Sequence, residues 1–422
     1  MREMKDSGIE WIGEIPVNWD INKGKYIFQQ RSEKGNSIEL QLLSPTQKFG
    51  VIPQSLYEEL TTNTAVKVNE KTNLMTFKTI HIGDYCISLR SFQGGFEYSL
   101  YEGVVSPAYT VFYATETICK GYYKYLFKEQ CFIREMNSFT LSLRDGKNIS
   151  FEDFGNTYIP VPPLSEQQAI SAYLDKKCSE IDSLTADIQK QIETLEEYKR
   201  SVITEAVTKG LNPDAEMKDS GIEWVGKIPK HWTMTKFKYI CTVKTNLVDV
   251  RKYQEYPQIS PENIEKDSGV LINYNSVEES GVISNNHLFF KGQIVYSKIR
   301  PKLNKVIIAP FDGLCSADMY PIETTENTNF MLYVILSQYF LSQVVLQTED
   351  RVKMPKINQE ELGTIIVTLP TNEEQQQIAD YLDKKCTRID GIISDKKKQL
   401  ETLEEYKKSL IFEYVTGKKE VY

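Results

Sequence analysis

MKDSGIEWIGEIPVNWDINKGKYI, residues 4–27, returns as MKDSGIEWVGKIPKHWTMTKFKYI at residues 217–240, with 16 identities in 24 positions and an offset of 213 from residue 4 to residue 217. A second block repeats too. The run that opens SEQQAISAYLDKKC at Ser165 answers the run NEEQQQIADYLDKKC at Asn372, and Glu166 corresponds to Glu374 at an offset of 208. A period of half the chain means two copies of one structural plan. Between the matched blocks, residues 28–158 and 241–366 barely resemble each other, although landmarks survive. LLSPTQKFGV (42–51) answers QISPENIEKDSGV (258–270), and IHIGDYCISLRSF (80–92) answers FFKGQIVYSKIRP (289–301). The two halves share a frame whose contents have diverged, as two readers of different targets would.

The second block predicts long helices. Ser165 and Gln168 form a capping-box pattern after Pro162 and Pro163. Apolar residues then recur in heptads, with Leu174, Ile181, Ile188, Leu195 and Val202 on one seam and Ile170, Leu184 and Tyr198 on the other. The later copy keeps Leu382, Ile389, Leu403 and Leu410 with Ile378, Ile392 and Tyr406, while Lys177 and Lys385 fall at seam positions and Lys396 interrupts. Helices of roughly 40 residues span about 60 Å at 1.5 Å per residue. Each has one apolar stripe and needs a partner, which the other copy supplies. Duplication suggests a pseudo-two-fold arrangement with the two long coiled-coil helices antiparallel. A coil used only for dimerisation is the plainer alternative. In the interiors, IGDYCISL (82–89), VSPAYTVFYA (105–114) and GQIVYSKI (292–299) read as strands, and 122–136 and 330–346 read as helices, so the fold class is α+β.

Enzyme chemistry is hard to find. There is no G-x-x-x-x-G-K-[ST] loop, no Gly-rich dinucleotide turn, and no Asn/Asp-Pro-Pro-aromatic motif. Asp214, Glu216 and Lys218 in PDAEMK are too close together to sit on separate strands of a metal site, and His81, His231 and His287 share no ligand spacing. Seven scattered cysteines without a C-x-x-C pair point to a reducing compartment, not to disulfides or zinc. The N-terminal MREMKDSGIEW lacks an apolar signal core, and no apolar run approaches the roughly 18 residues of a membrane span, so the expectation is a cytoplasmic chain with no membrane partner.

The pattern D-S-G-I-E-W-x-G-x-I-P-x-x-W opening each half, P-L-S-E-Q-Q-x-I heading the central helix, P-T-N-E-E-Q-Q-Q-I at 370–378, and G-Q-I-V-Y-S-K-I-R-P inside the second half resemble the specificity subunits of type I restriction-modification systems. The resemblance spans essentially the whole chain. It implies a first target-recognition domain over 1–160, a helical spacer over 161–210, a second recognition domain over 211–368 and a second spacer over 369–422. Each recognition domain would read one half of a split site on double-stranded DNA. The spacers would fix the gap and dock two modification subunits, which carry S-adenosylmethionine and methylate adenine, and restriction subunits would join them. This chain would hold no cofactor and no catalytic residue. One departure is that ISLRSFQGG in the first half replaces the basic YSKIRPKLNK of the second.

Base edges are read chiefly by Arg, Lys, Asn and Gln, with further cations on phosphates. In the second half, Lys298, Arg300, Lys302, Asn304 and Lys305 follow a strand, and Arg351, Lys353 and Lys356 precede the close of the domain. First-half counterparts are Arg90, Ser91 and Gln93, then Arg144, Lys147 and Asn148, with Lys48 after Ser44-Pro45. All could equally be solvated loop residues. Trp11, Trp19, Trp224 and Trp232 belong to the repeated frame and are expected to pack, and the Glu-Gln-Gln triplets at 166–168 and 374–376 to cap helices or face a partner. The net charge of −8 opposes DNA binding, so attraction must come from local basic loops, and a partner subunit would complete the positive channel. Two other readings stay open: a coiled-coil scaffold whose variable domains bind proteins, and a methyltransferase or nuclease with unfamiliar motifs.

Overall fold

The computed structural model describes residues 2–35, 40–61, 74–87, 95–139, 149–222, 225–348 and 355–421. They form two compact units, Met1–Asp187 with Gln399–Tyr422, and Ile188–Lys398. The duplication extends into the interiors, where sequence similarity is nearly lost. In the first unit an antiparallel sheet runs in the order Phe28–Gln30, Thr110–Ala114, Tyr85–Ile87, Glu97–Tyr98. In the second, the order is Cys241–Val243, Met319–Thr324, Ile294–Ser297, Val306–Ile308, again antiparallel. The fillings differ. The first core is aromatic, with Phe28, Phe96, Phe112, Phe127, Phe132 and Phe154 all buried. Where Tyr85 stands in the first unit the aligned landmarks put Ile294 in the second, and where Phe127 and Phe154 stand the 208-residue offset puts Ile335 and Leu362. The second unit also carries a five-stranded sheet, in which Pro257–Ile259 pairs parallel with Gly313–Cys315.

Three elements expected as continuous are broken. The strand expected over 105–114 divides into Gly103–Val105 and Thr110–Ala114, which lie in different sheets, around a turn closed by Tyr109 N–H to the Ser106 carbonyl. The helix expected over 122–136 divides into Lys120–Leu126 and Gln130–Ser138, because Glu129 turns its carboxylate onto the N–H groups of Cys131 and Phe132. The one over 330–346 divides at Ser337 into Thr328–Leu336 and Gln338–Leu346, bent by 60°. Ser337 stands 208 residues after Glu129 and likewise caps the second piece. A side-chain acceptor that satisfies an orphan N–H outweighs an uninterrupted apolar run. No single described helix is long and apolar enough to cross a membrane.

Two long helices, Leu164–Lys209 and Asn372–Val415, each contribute to both units. In the first unit Tyr173 packs on Tyr414 and Lys407 pairs with Asp182 at 2.6 Å, so the segments run antiparallel. In the second, Lys396 donates to Gln191 and Lys199 pairs with Asp390 at 2.7 Å, again antiparallel. The two ion pairs are equivalents at the 208-residue offset, with lysine and aspartate exchanged between copies. Asp390 is 47% exposed, so the pair adds about 0–1 kcal/mol and serves chiefly to fix register.

One seam follows the sequence reading and the other is displaced by a residue. Leu174, Ile181, Ile188, Leu382, Ile389 and Leu410 are buried, but Leu184, Tyr198, Ile392 and Tyr406 are exposed. The second seam is instead Cys178, Ile192, Lys199 and Ala206, with Cys386, Ile393 and Tyr414 on the other helix. This register keeps Lys177 out of the seam, where it pairs with Glu180.

The frame is tied to the helices by its tryptophans. The buried Trp19 donates Nε1–H to Glu166 Oε2 at 2.9 Å, and Trp232 donates to Glu374 Oε1 at 3.3 Å. The neighbouring glutamines bridge inward. Gln167 accepts from Cys119 N–H and donates to the Pro162 carbonyl, and Gln375 does the same between Asn327 and Pro370. Thr371 and Glu374 form the expected kind of cap on the second helix, whereas the first begins at Leu164, and the Pro163 carbonyl takes the N–H groups of Glu166 and Gln167. At the far ends, Gly210 and Gly417 adopt left-handed φ values of 76° and 71°. A Cβ would meet Trp232 at 3.1 Å from Gly210 and Trp19 at 3.0 Å from Gly417. Each tryptophan thus lies against the start of one long helix and the end of the other.

Burial alone would raise the Glu166 and Glu374 carboxyls, but hydrogen bonds from Arg2 and Trp19, and from His231 and Trp232, hold both below the ordinary 4.5. A carboxyl depressed in the fold stabilises it above its unfolded value and loses that contribution as pH falls through the folded value. Thermal unfolding followed from pH 6 downward should therefore show Tm falling as pH drops below about 4.5. The Glu166→Gln/Glu374→Gln chain should start from a lower Tm and lose less over the same range; parallel curves would mean that these two carboxyls do not set the acid limb.

Candidate nucleic-acid interface

In the second unit, strands Ile294–Ser297 and Val306–Ile308 are joined by the basic segment 298–305. Arg300 (φ 47°) and Asn304 (φ 41°), both left-handed, bracket the 3₁₀ turn Pro301–Leu303. A residue before proline prefers extended backbone, and a non-glycine residue held in this region costs about 1–3 kcal/mol. Surrounding contacts hold it there. Arg300 N–H donates to the Pro355 carbonyl and Ile357 N–H to the Lys298 carbonyl, each at 2.9 Å, and Ile299 bridges to Lys356. The two basic groups picked out from the sequence, 298–305 and 351–356, are therefore zipped together at Lys356.

The turn sorts its residues. Lys298 Nζ donates to the Ala317 carbonyl at 2.6 Å and lies over the Tyr320 ring, and Lys305 Nζ donates to the Pro261 carbonyl at 2.7 Å. Asn304 is 1% exposed and donates Nδ2–H to the Ile335 carbonyl at 3.2 Å. The expectation that Asn304 touches DNA is therefore corrected: its amide is turned into the core and held by the Ile335 carbonyl. Arg300 and Lys302 remain exposed, and among the described residues neither side chain has a hydrogen bond or ion pair. Lys356 is exposed beside them. His287, on the strand Asn286–Phe289, is held below its usual value by burial and by Lys298, so it adds no cation near neutral pH. Arg351 and Lys353 lie outside the described residues.

In the first unit, Arg90, Ser91, Gln93, Arg144, Lys147 and Asn148 also lie outside the described residues. Lys48 is exposed in the hairpin of Leu43–Thr46 and Gly50–Pro53, with its ammonium 5.2 Å from the Phe49 ring centre. Glu97, where the chain returns to the sheet, is pushed up to about 7 by burial, against the pull of Lys128 at 2.6 Å. One repeated basic feature was passed over in the sequence reading. Lys25 lies over the exposed Tyr26 and Lys238 over the exposed Tyr239, at 5.7 and 5.3 Å. The pair recurs at the 213-residue offset, inside the block assigned to packing, and its repetition while exposed was the missed signal.

The chemistry available is recognition. Exposed cations on a braced turn can meet phosphates and base edges. Among the described residues no group of three His, Cys, Asp or Glu could hold a metal. Lys218 donates to the Trp232 carbonyl and Glu216 pairs with Lys230, so the PDAEMK segment is bound up in the frame.

A family model described as the type I restriction modification DNA specificity domain matches residues 16–194 and 229–402. The specificity subunit of the type I restriction enzyme EcoDI of Escherichia coli is 30% identical over 255 residues, which span 57% of each chain. The putative MjaX specificity subunit of Methanocaldococcus jannaschii is 23% identical over 440 residues, 96% of this chain and 95% of that one. Among solved structures, a chain from work on complex assembly and conformational transition of the type I R-M system superposes with a TM-score of 0.69 at 13% identity, covering 95% of this chain and 98% of that one. The HsdS subunit from Thermoanaerobacter tengcongensis gives 0.50 at 14% identity, covering 96% and 98%. At these identities the two superpositions speak to the fold alone.

Truncating an exposed, unpaired arginine that reads a base should cost about 1–3 kcal/mol on the cognate half-site. Arg300→Ala, tested by DNA-binding titration, should show that loss on duplexes carrying the second half-site and little on scrambled ones. An equal loss on both would make Arg300 a phosphate contact.

Proposed function

The chain belongs to the family of type I restriction-modification DNA specificity domains, and from that premise we propose that each of its units reads one half of a split DNA target. As a specificity subunit it is non-catalytic. Arg300, Lys302 and Lys356, with Lys298 beside them, are the proposed contacts of the second unit, and Lys48 is the proposed contact among the described residues of the first. The observation that carries this reading is the shared four-strand frame, which the two units fill and loop differently. Identical frames with different contents suit two targets held in fixed relation.

The long helices would set the gap between half-sites and dock two modification subunits. Support comes from their exposed apolar residues, which repeat: Leu184 with Ile392 and Tyr198 with Tyr406 are equivalents at the 208-residue offset. Two equivalent surfaces suit two copies of one partner. That partner would bring S-adenosylmethionine, with no cofactor held in this chain; restriction subunits would complete a cleaving complex in the cytoplasm.

The test is to co-express the chain with a modification subunit from the same genome and map methylated adenines genome-wide. One split motif present only with this chain is expected. With an active partner and no new motif, the protein-binding scaffold becomes the better account. The same assay measures the ruler. Four residues inserted into a long helix add about 6 Å, roughly two base-pair steps. The gap in the motif should lengthen, and an unchanged gap would separate the helices from the spacing.

A further inference from the structure

Among the described residues only three non-glycine residues have positive φ: Asp267 (54°), Arg300 (47°) and Asn304 (41°). All three belong to one neighbourhood. Arg300 and Asn304 bracket the exposed turn, and the half-buried Asp267 carboxyl feels the Asn304 side chain. Strained backbone persists where its surroundings over-determine it, and it gathers at functional sites. We propose that Asn304 is a positioning residue for DNA reading: buried out of reach of DNA itself, it aims Arg300 and Lys302 by tying the end of their turn to the helix Thr328–Leu336. This rests on the reading of the 298–305 turn as a DNA contact.

The tie is specific in its chemistry. Ile335 lies in the last turn of its helix, where carbonyls have no partner within the helix. The Asn304 amide supplies that partner at 3.2 Å. Asparagine is the side chain that best tolerates left-handed backbone while still offering a donor. The loop bearing Asp267 is seated on the same helix, since a Cβ at Gly269 would meet Leu332 and Leu336 at 3.4 to 3.8 Å. The Asp267 carboxyl also feels Arg200 of the first long helix, and Arg200, Lys199, Asp267 and Leu336 line one charged cavity of about 250 Å³. The turn is thereby indexed, within this unit, to the long helix proposed as ruler.

The first unit supplies an independent comparison. Between its two equivalent strands Gly95 is also left-handed, at φ 76°, one residue nearer its strand than Asn304, because the pairing of Tyr85 with Tyr98 answers that of Ile294 with Ile308 and sets Gly95 against Lys305. A Cβ there would fall 1.9 Å from the carbonyl of Phe127, the equivalent of Ile335. That carbonyl is instead taken by Phe96 N–H at 3.3 Å. In both units the segment that re-enters the second strand is thus left-handed and seated on this carbonyl, by a backbone N–H in the first and by the Asn304 side chain in the second. Asn304→Gly adopts the left-handed backbone without strain and removes only the tie. Asn304→Asp keeps the shape but replaces the donor with a carboxylate facing a carbonyl and Asp267.

The experiment expresses full-length wild type, Asn304→Gly, Asn304→Asp and Arg300→Ala, each with the same modification subunit, and reads the methylated motif. Both Asn304 variants should leave the first half-motif and the gap intact. At one or more positions of the second half they should accept non-cognate bases about tenfold more often, at the positions relaxed by Arg300→Ala. A wild-type motif in either soluble variant overturns the proposal. So does a uniform fall in methylation of the whole motif matching the loss of folded chain, which is what a merely structural asparagine would give. If Arg300→Ala itself leaves the motif unchanged, it is the reading of the turn that has failed, whatever the Asn304 variants do.

Discussion

The indole N–H of a buried tryptophan and the carboxylate that opens a long helix are the contact on which the architecture turns. Trp19 with Glu166 and Trp232 with Glu374 solve two problems at once. A buried indole N–H without an acceptor is costly, and the N-terminus of a long helix favours negative charge. Because Gly210 and Gly417 press on the same rings, one side chain fixes both where one helix begins and where the other stops. The glutamine after each glutamate then pins the domain helix that follows the sheet, through Cys119 in one unit and Asn327 in the other. A tight frame of this kind can tolerate interiors as different as an aromatic core and an aliphatic one.

What was legible in the sequence was whatever repeats. The two matched blocks announce duplication, long helices and the packing of Trp19 and Trp232, and those follow from periodicity and identity alone, while Trp224 lies outside the described residues. The second seam was not legible. Leu184 and Tyr198 are better hydrophobes than Cys178 and Lys199, so composition favoured the wrong line. Lys177, stranded in that line, was the contrary signal. The broken helices were hidden for a different reason: Glu129 and Ser337 act through one side-chain acceptor each, which hydropathy does not register. The candidate interface was legible as a place but not residue by residue. Asn304 and Lys305 look like Arg300 and Lys302 in sequence, and only the fold of the turn separates a core amide from surface cations.

Charge follows the same division. The chain is acidic overall, yet many of its lysines are occupied: Lys128 by Glu97, Lys199 by Asp390, Lys407 by Asp182, and Lys298 and Lys305 by backbone carbonyls. Such pairs hold the register and the loops in place. The cations left over at Arg300 and Lys302 are few, which makes their orientation more consequential than their number. A short list of contacts on a braced support discriminates better than a broad positive field, because a broad field attracts any sequence alike.

The strands that bound each interior carry a consequence for how such a chain can change. Asp20–Lys23 leads into the first interior and lies hydrogen-bonded to Tyr158–Val161, which leads out; Thr233–Lys236 and Ile366–Leu369 do the same in the second. Each interior is thus a long loop whose two ends are clasped side by side on the constant frame. A replacement cassette needs to match only that clasp, not the length or pairing of what lies between. Closing a longer loop costs little, since doubling its length adds only about 0.6 kcal/mol. Recombination within the clasp would exchange a whole half of the specificity in one event while leaving the long helices untouched.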